Sequence, residues 1–146
     1  MTDSLVHCIL LVEDDEAFAQ TLVEMLESWQ PGQQVVPHVT SLEAAQAALQ
    51  VPFRYDLLIL DLSLPGTKEF LTLKTMLAMA PGVPIVVVTG GVAETEASSI
   101  AQGAVGFCQK WTLAKNFSGF LHLLRHGMAR QAKINALLDD DEPSVT

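Results

Sequence analysis

Basic residues are scarce in this chain. Eight lysines and arginines stand against seventeen aspartates and glutamates, for a formal net charge of −9. Such a surface repels phosphate backbones and anionic headgroups, so neither nucleic acid nor a membrane is expected as a direct partner. Cysteine is rarer still: two residues, Cys8 and Cys108, cannot build a disulfide framework. Long apolar runs are missing, since residues 57–60 and 83–88 are far too short to cross a bilayer. The opening MTDSLVHC lacks a basic segment followed by an apolar run. No secretory leader is therefore expected, and the cytoplasm is the expected location. What the chain does have is apolar mass. Hydrophobic residues make up 49% of 146 positions, which excludes general disorder and suffices for one buried core.

Short apolar runs alternate with segments of helical period. Residues 7–12 (HCILLV) form a first strand. Residues 15–29 place Phe18, Leu22, Met25, Leu26 and Trp29 on one helical stripe, stopped by Pro31-Gly32. Residues 34–38 read as a short second strand. Ser41 caps a helix carrying Leu42, Ala45, Ala48 and Leu49, with Glu43 in its first turn and Pro52 beyond its end. Residues 56–60 are a third strand, and residues 67–79 a helix buried through Phe70, Leu73, Met76 and Leu77. A fourth strand spans 83–88, a weaker helix 92–102 and a fifth strand 105–108. Thr112 is placed to cap a last helix carrying Leu113, Phe117, Phe120, Leu121 and Leu124. Gly127 costs helix stability, yet good helix formers continue to Leu138, so a longer last helix is favoured over a stop.

Strands that are apolar along their whole length imply a parallel sheet covered on both faces. Strict strand–helix alternation gives a doubly wound α/β fold. For five strands the common arrangement is the flavodoxin-like order 2-1-3-4-5. In that order two strands separate the cysteine-bearing strands, so no disulfide between Cys8 and Cys108 is expected. The chain is too short for an eight-stranded barrel. Residues 139–146, acidic and then containing Pro and Ser, read as a frayed tail or the start of a linker.

Ligands bind such sheets at the carboxyl ends of the strands, in the crevice where strand order reverses. Glu13, Asp14 and Asp15 follow the first strand, Asp61 the third, Thr89 the fourth and Lys110 the fifth. The second strand, ending in His38, contributes nothing on this reading. Singly, each residue has an ordinary explanation. An acidic triplet can serve a helix dipole, an Asp a turn, and a Lys a solvated loop. Those explanations must all hold at once at four of five strand ends. Gathered carboxylates repel, and a divalent cation relieves the repulsion; an oxygen-only donor set favours Mg²⁺ over zinc. Asp61 is then the expected nucleophile, because a carboxylate can form an aspartyl phosphate. Mg²⁺ would join Asp14, Asp61 and a phosphoryl oxygen, Lys110 would pair with a second oxygen and Thr89 would donate to a third.

The stretches ILLVEDDE (residues 9–16), LLILDLSLPG (57–66), IVVVTG (85–90) and GAVGFCQK (103–110) closely resemble the receiver domain of bacterial two-component response regulators. The resemblance implies a phosphorylation-dependent signalling switch rather than an enzyme. Asp61 would accept a phosphoryl group from a histidine kinase or phosphotransfer protein, with Mg²⁺, and would act on an unknown output protein or domain. It implies that Asp14 touches the metal, that Glu13 acts mainly through water, and that the backbone carbonyl of Ser63 is a further ligand. Asp15 falls outside the acidic pair. Phe107 matches an aromatic switch that turns inward when Thr89 moves toward the phosphate. On this reading residues 1–127 form the receiver domain, and residues 128–146 a C-terminal helical extension and acidic tail or linker. No output domain is expected after Gly127. The last helix could supply a homodimer seam through Phe117, Leu121, Leu124, Met128, Gln131, Asn135 and Leu138.

Two positions depart from the family pattern. Trp111 stands where Pro usually follows the lysine, so a trans Lys110-Trp111 bond with a rearranged turn is expected. Thr67-Lys68-Glu69-Phe70 replaces the usual Asp-Gly. The large amphipathic indole of Trp111 could anchor an interface or simply cover a helix end. Three rivals are weighed. A receiver-like interaction module acting without phosphorylation is opposed by the intact acids, Thr89 and Lys110. A flavodoxin-like FMN carrier needs a phosphate-binding loop where Glu13-Asp14-Asp15-Glu16 stands. A haloacid-dehalogenase-type phosphatase needs a second acid that Asp61-Leu62-Ser63 lacks.

Overall fold

The computed structural model describes residues 6–50, 55–64, 69–90 and 94–140. Six strands and six helices follow one another: β1 (His7–Val12), α1 (Glu16–Trp29), β2 (Gln34–Val35), β3 (His38–Val39), α2 (Leu42–Ala48), β4 (Leu57–Asp61), α3 (Glu69–Met79), β5 (Ile85–Thr89), α4 (Glu94–Gln102), β6 (Gly106–Gln109), α5 (Lys110–Lys115) and α6 (Phe117–Asp140). All strand pairs are parallel, in the order β2-β1-β4-β5-β6, with β3 also paired to β1. This is the doubly wound order read from the sequence, with one correction. The second strand is not continuous but splits at Val36-Pro37. A proline has no N–H to give to a ladder, so the chain pairs before it and again after it.

Successive side chains along each central strand point to opposite faces of the sheet, and both faces are buried and apolar. Ile9, Leu11, Leu57, Ile59, Val86 and Val88 join Ala19, Leu22 and Leu26 of α1 and Phe117, Phe120, Leu121 and Leu124 of α6 in one core. Leu10, Val12, Leu58, Leu60, Ile85 and Val87 join Ala45 of α2 and Leu73 and Met76 of α3 in the other. Each fully buried Leu contributes about 1.5–3 kcal/mol of transfer free energy. That is why β1, β4 and β5 read as unbroken apolar runs. Asp15 caps α1 by accepting the Phe18 N–H, and Ser41 caps α2 by accepting the Ala44 N–H.

The end of the chain departs from expectation. Thr112 does not cap the last helix: α5 begins at Lys110, after Gln109, and stops at Asn116. The Asn116 side chain then accepts the Gly119 N–H at 3.1 Å and so starts α6. The Lys110-Trp111 bond is trans, since no peptide bond among the described residues is cis. Beyond it α6 runs unbroken to Asp140, so residues 139–140 are helical rather than frayed. Gly127 has a reason to be glycine. A Cβ there would meet Val105 Cγ2 at 2.9 Å, with Leu57 and Pro84 just beyond. Its bareness lets α6 lie against the amino ends of β4 and β5. The expected starts at residues 67–68 and 92–93 of two helices, and the end of the chain after residue 140, lie outside the described residues.

Candidate phosphoacceptor crevice

The register of the sheet sets the site. Val12 pairs with Leu60 and Asp61 with Val88, so Glu13, Asp61 and Thr89 come to neighbouring positions at the carboxyl edge. All three are buried: Glu13 and Thr89 are 0% exposed and Asp61 is 1% exposed. Asp14, the next residue along, is exposed. One carboxylate oxygen from each of Glu13, Asp14 and Asp61 lies within 4.8 Å of the others. Lys110, the first residue of α5, reaches back with Nζ 3.0 Å from Glu13 Oε2 and 3.5 Å from Asp61 Oδ2. The Ser63 N–H donates to Asp61 Oδ1 at 3.0 Å, and Ser63 Oγ lies 3.5 Å from Thr89 Oγ1. Phe107, on β6, is half-buried against the core under α3.

Glu13 carries the strain of this arrangement. Burial, and then the neighbouring Asp61 carboxylate, push its carboxyl up to about 7, against the opposing pull of the Asp15 N–H and Lys110. Glu13 Oε2 accepts from Asp15 N–H at 3.1 Å and from Lys110, whereas the buried Oε1 has no hydrogen-bond partner. An orphaned buried carboxylate oxygen on a residue clustered with two more carboxylates belongs to an oxygen-only donor set that suits a hard divalent cation. Lys110 is held above its ordinary value: burial lowers it, but its contacts with Glu13 and Asp61 outweigh that loss.

The sequence-derived residues thus converge. Asp15 does not join them; it is the N-cap of α1. Two contributors were not visible in the sequence. His38, which the sequence reading set aside, places Nε2 2.7 Å from the Glu13 carbonyl oxygen and pins the turn that presents the acids. Phe18 lies under Lys110, with Nζ 4.5 Å from its ring centroid. Both contacts depend on strand register and helix start, which no local motif announces.

With this geometry established, comparison with known proteins is decisive. Residues 9–117 match the model of the response regulator receiver domain. The chain belongs to that family. It is 34% identical over 103 residues to the cell cycle transcriptional regulator CtrA of Caulobacter vibrioides, covering 70% of this chain and 43% of that protein. It is 32% identical over 82 residues to the cell cycle response regulator CtrA of Brucella ovis, covering 56% of this chain and 34% of that protein. The chain therefore spans less than half the length of these curated relatives. Solved structures share the fold. A CheY-like receiver domain protein from Methanospirillum hungatei superposes with a TM-score of 0.73 at 23% identity, covering 88% of this chain and 98% of that one. A response regulator from Burkholderia pseudomallei, solved with a phosphorylated aspartic acid, calcium ion and citrate, superposes at 0.67 and 20% identity, covering 96% and 77%. This receiver domain keeps its acidic cluster while carrying Trp111 beside Lys110. The indole is 60% exposed, with Lys115 Nζ 5.3 Å from its ring. No helix among the described residues is long and apolar enough to cross a membrane.

Proposed function

We propose that this receiver works as a phosphoacceptor switch with Asp61 as the phosphorylated residue. The observation that carries this reading is the burial of Glu13 and Asp61 side by side, with Glu13 Oε1 unpartnered and Lys110 spanning both. Glu13, Asp14 and Asp61, with the Ser63 carbonyl, would hold Mg²⁺, which supplies charge neutralisation for an incoming phosphoryl group. Asp61 forms an O–P bond as the P–N bond of a phosphohistidine breaks, and the leaving imidazole nitrogen takes a proton from water. Lys110 offers its ammonium to one phosphoryl oxygen and Thr89 its hydroxyl to another. Phe107, half-buried on β6, responds when Thr89 moves.

The donor is a histidine kinase or phosphotransfer protein in the cytoplasm, and the receiver acts on an output protein or domain. It transfers no group to another substrate and so is a switch rather than an enzyme. Residues 1–127 are the receiver; residues 128–146 are an extension. Ile134, Leu137 and Leu138 are exposed on the last turns of α6, which supports that extension as a contact surface, a second copy included. Incubation with acetyl phosphate and Mg²⁺ tests the reading. Intact mass should rise by one base-labile phosphoryl group, and Asp61→Asn should abolish the gain. An unchanged mass in the wild-type chain, or a gain that survives Asp61→Asn, overturns it.

A further inference from the structure

An ammonium has three N–H donors and no acceptor. Lys110 Nζ directs contacts to Glu13 Oε2 and Asp61 Oδ2, which leaves one donor beyond the two acids. Against the same nitrogen the structure sets the ring of Phe18, 4.5 Å from centroid to Nζ. That distance lies inside the range at which the negative face of an aromatic ring attracts a cation, and the attraction strengthens where water is reduced. The Lys110 side chain is only 22% exposed and Phe18 is half-buried, so both partners are largely desolvated. The placement of the ring is not incidental to the acids. Asp15 caps α1 by accepting the Phe18 N–H at 3.0 Å, and the Asp15 N–H in turn donates to Glu13 Oε2. One short turn therefore fixes the acid, the cap and the aromatic ring together.

We propose that Phe18 is a positioning residue for Lys110, its ring face holding the ammonium in the crevice where an Asp61 phosphoryl group is to be met. The proposal rests on the phosphoacceptor reading above and names a residue outside the acid–hydroxyl–lysine set. Without the ring, the ammonium is held by the two carboxylates alone. With it, the ammonium is confined among two carboxylates and one π face.

The experiment compares Phe18→Leu, which keeps apolar packing and removes the π face, with Phe18→Tyr, which keeps both. With acetyl phosphate and Mg²⁺, the phosphorylation rate should fall about three- to fivefold in Phe18→Leu and return close to the wild-type rate in Phe18→Tyr. A packing role alone would lower thermal stability in Phe18→Leu without this split. A second readout needs neither phosphorylation nor a variant. In the metal-free wild-type protein, ring current from Phe18 should move the Lys110 Cε protons upfield in a proton–carbon spectrum. Ordinary Lys110 shifts, or equal rates in wild type and Phe18→Leu, overturn the proposal while phosphorylation of Asp61 stands. Equal losses in the Leu and Tyr variants also overturn it. A wild-type chain that takes no phosphoryl group overturns the phosphoacceptor reading and this proposal with it, whatever the ring-current shift.

Discussion

The two edges of the sheet handle their acids in opposite ways. At the amino edge, Asp56 accepts the Cys8 N–H at 2.8 Å while its own N–H donates to the Cys8 carbonyl at 2.7 Å. That acid is exposed and reciprocally paired, and the helix above it is fitted closely through Gly127. At the carboxyl edge, Glu13 is fully buried, shares one lysine with Asp61 and leaves an oxygen unpartnered. Of the five buried polar residues among those described, Glu13, Asp61 and Thr89 all sit there; Thr72 and Ser99 lie on helices. A fold gains no stability from gathering charge in this way. The unrelieved acids mark the edge where a ligand completes the structure, and the satisfied ones mark the edge that only has to pack.

The largest expected effect comes from removing Lys110, which among the described residues is the cation paired with Glu13 and Asp61. Lys110→Ala should slow phosphorylation by acetyl phosphate about 10- to 100-fold, the weight of a charge-assisted hydrogen bond. A rate within a factor of about two would contradict the role given to Lys110. At the amino edge, Gly127→Ala should destabilise by about 1–3 kcal/mol, because the new methyl group meets Val105. Helix propensity alone predicts a gain of about 1 kcal/mol, so the sign of the change in urea unfolding decides between them.

A third test uses pH. The carboxyl of Glu13 is raised to about 7 by burial and by Asp61. A raised carboxyl contributes stability that is present below its ordinary value, near 4.5, and is lost as pH rises through about 7. The metal-free protein should therefore lose thermal stability between about pH 5 and 8. Asp61, Asp14 and Lys110 face the same oxygens, so Mg²⁺ should flatten the slope, as should Glu13→Gln. A slope that persists in Glu13→Gln would assign it to other groups. The smallest effect separates neighbours in the acidic triplet. Asp14→Ala should weaken Mg²⁺ binding, read by tryptophan fluorescence. Asp15→Ala should leave binding in place and cost about 1 kcal/mol of stability, the worth of an N-cap.

The same contrast explains what the sequence could reveal. β1, β4 and β5 announced themselves because burial on both faces demands unbroken apolar runs. The acids, Thr89 and Lys110 followed from their places at strand ends. The split between β2 and β3 was signalled by Pro37, yet two-residue strands carry too little pattern to be separated from a loop. Asn116 followed by Gly119 was a readable helix start, overshadowed by Thr112 four residues earlier. His38 and Phe18 were not readable at all. His38 meets the Glu13 carbonyl across 25 positions, through pairing of β3 with β1. Phe18 meets Lys110 only once α1 starts at Glu16 and α5 at Lys110. Local rules give elements and strand ends; contacts between elements appear when register is known.

The most direct measurement of the difference between the edges is a Mg²⁺ titration followed by proton–nitrogen NMR. Saturable shifts are expected at the amides of Glu13, Asp14, Asp61, Ser63 and Lys110, with Cys8, Asp56 and Gly127 unmoved. Absence of a saturable response at the carboxyl edge, or shifts that gather at the amino edge instead, would contradict it.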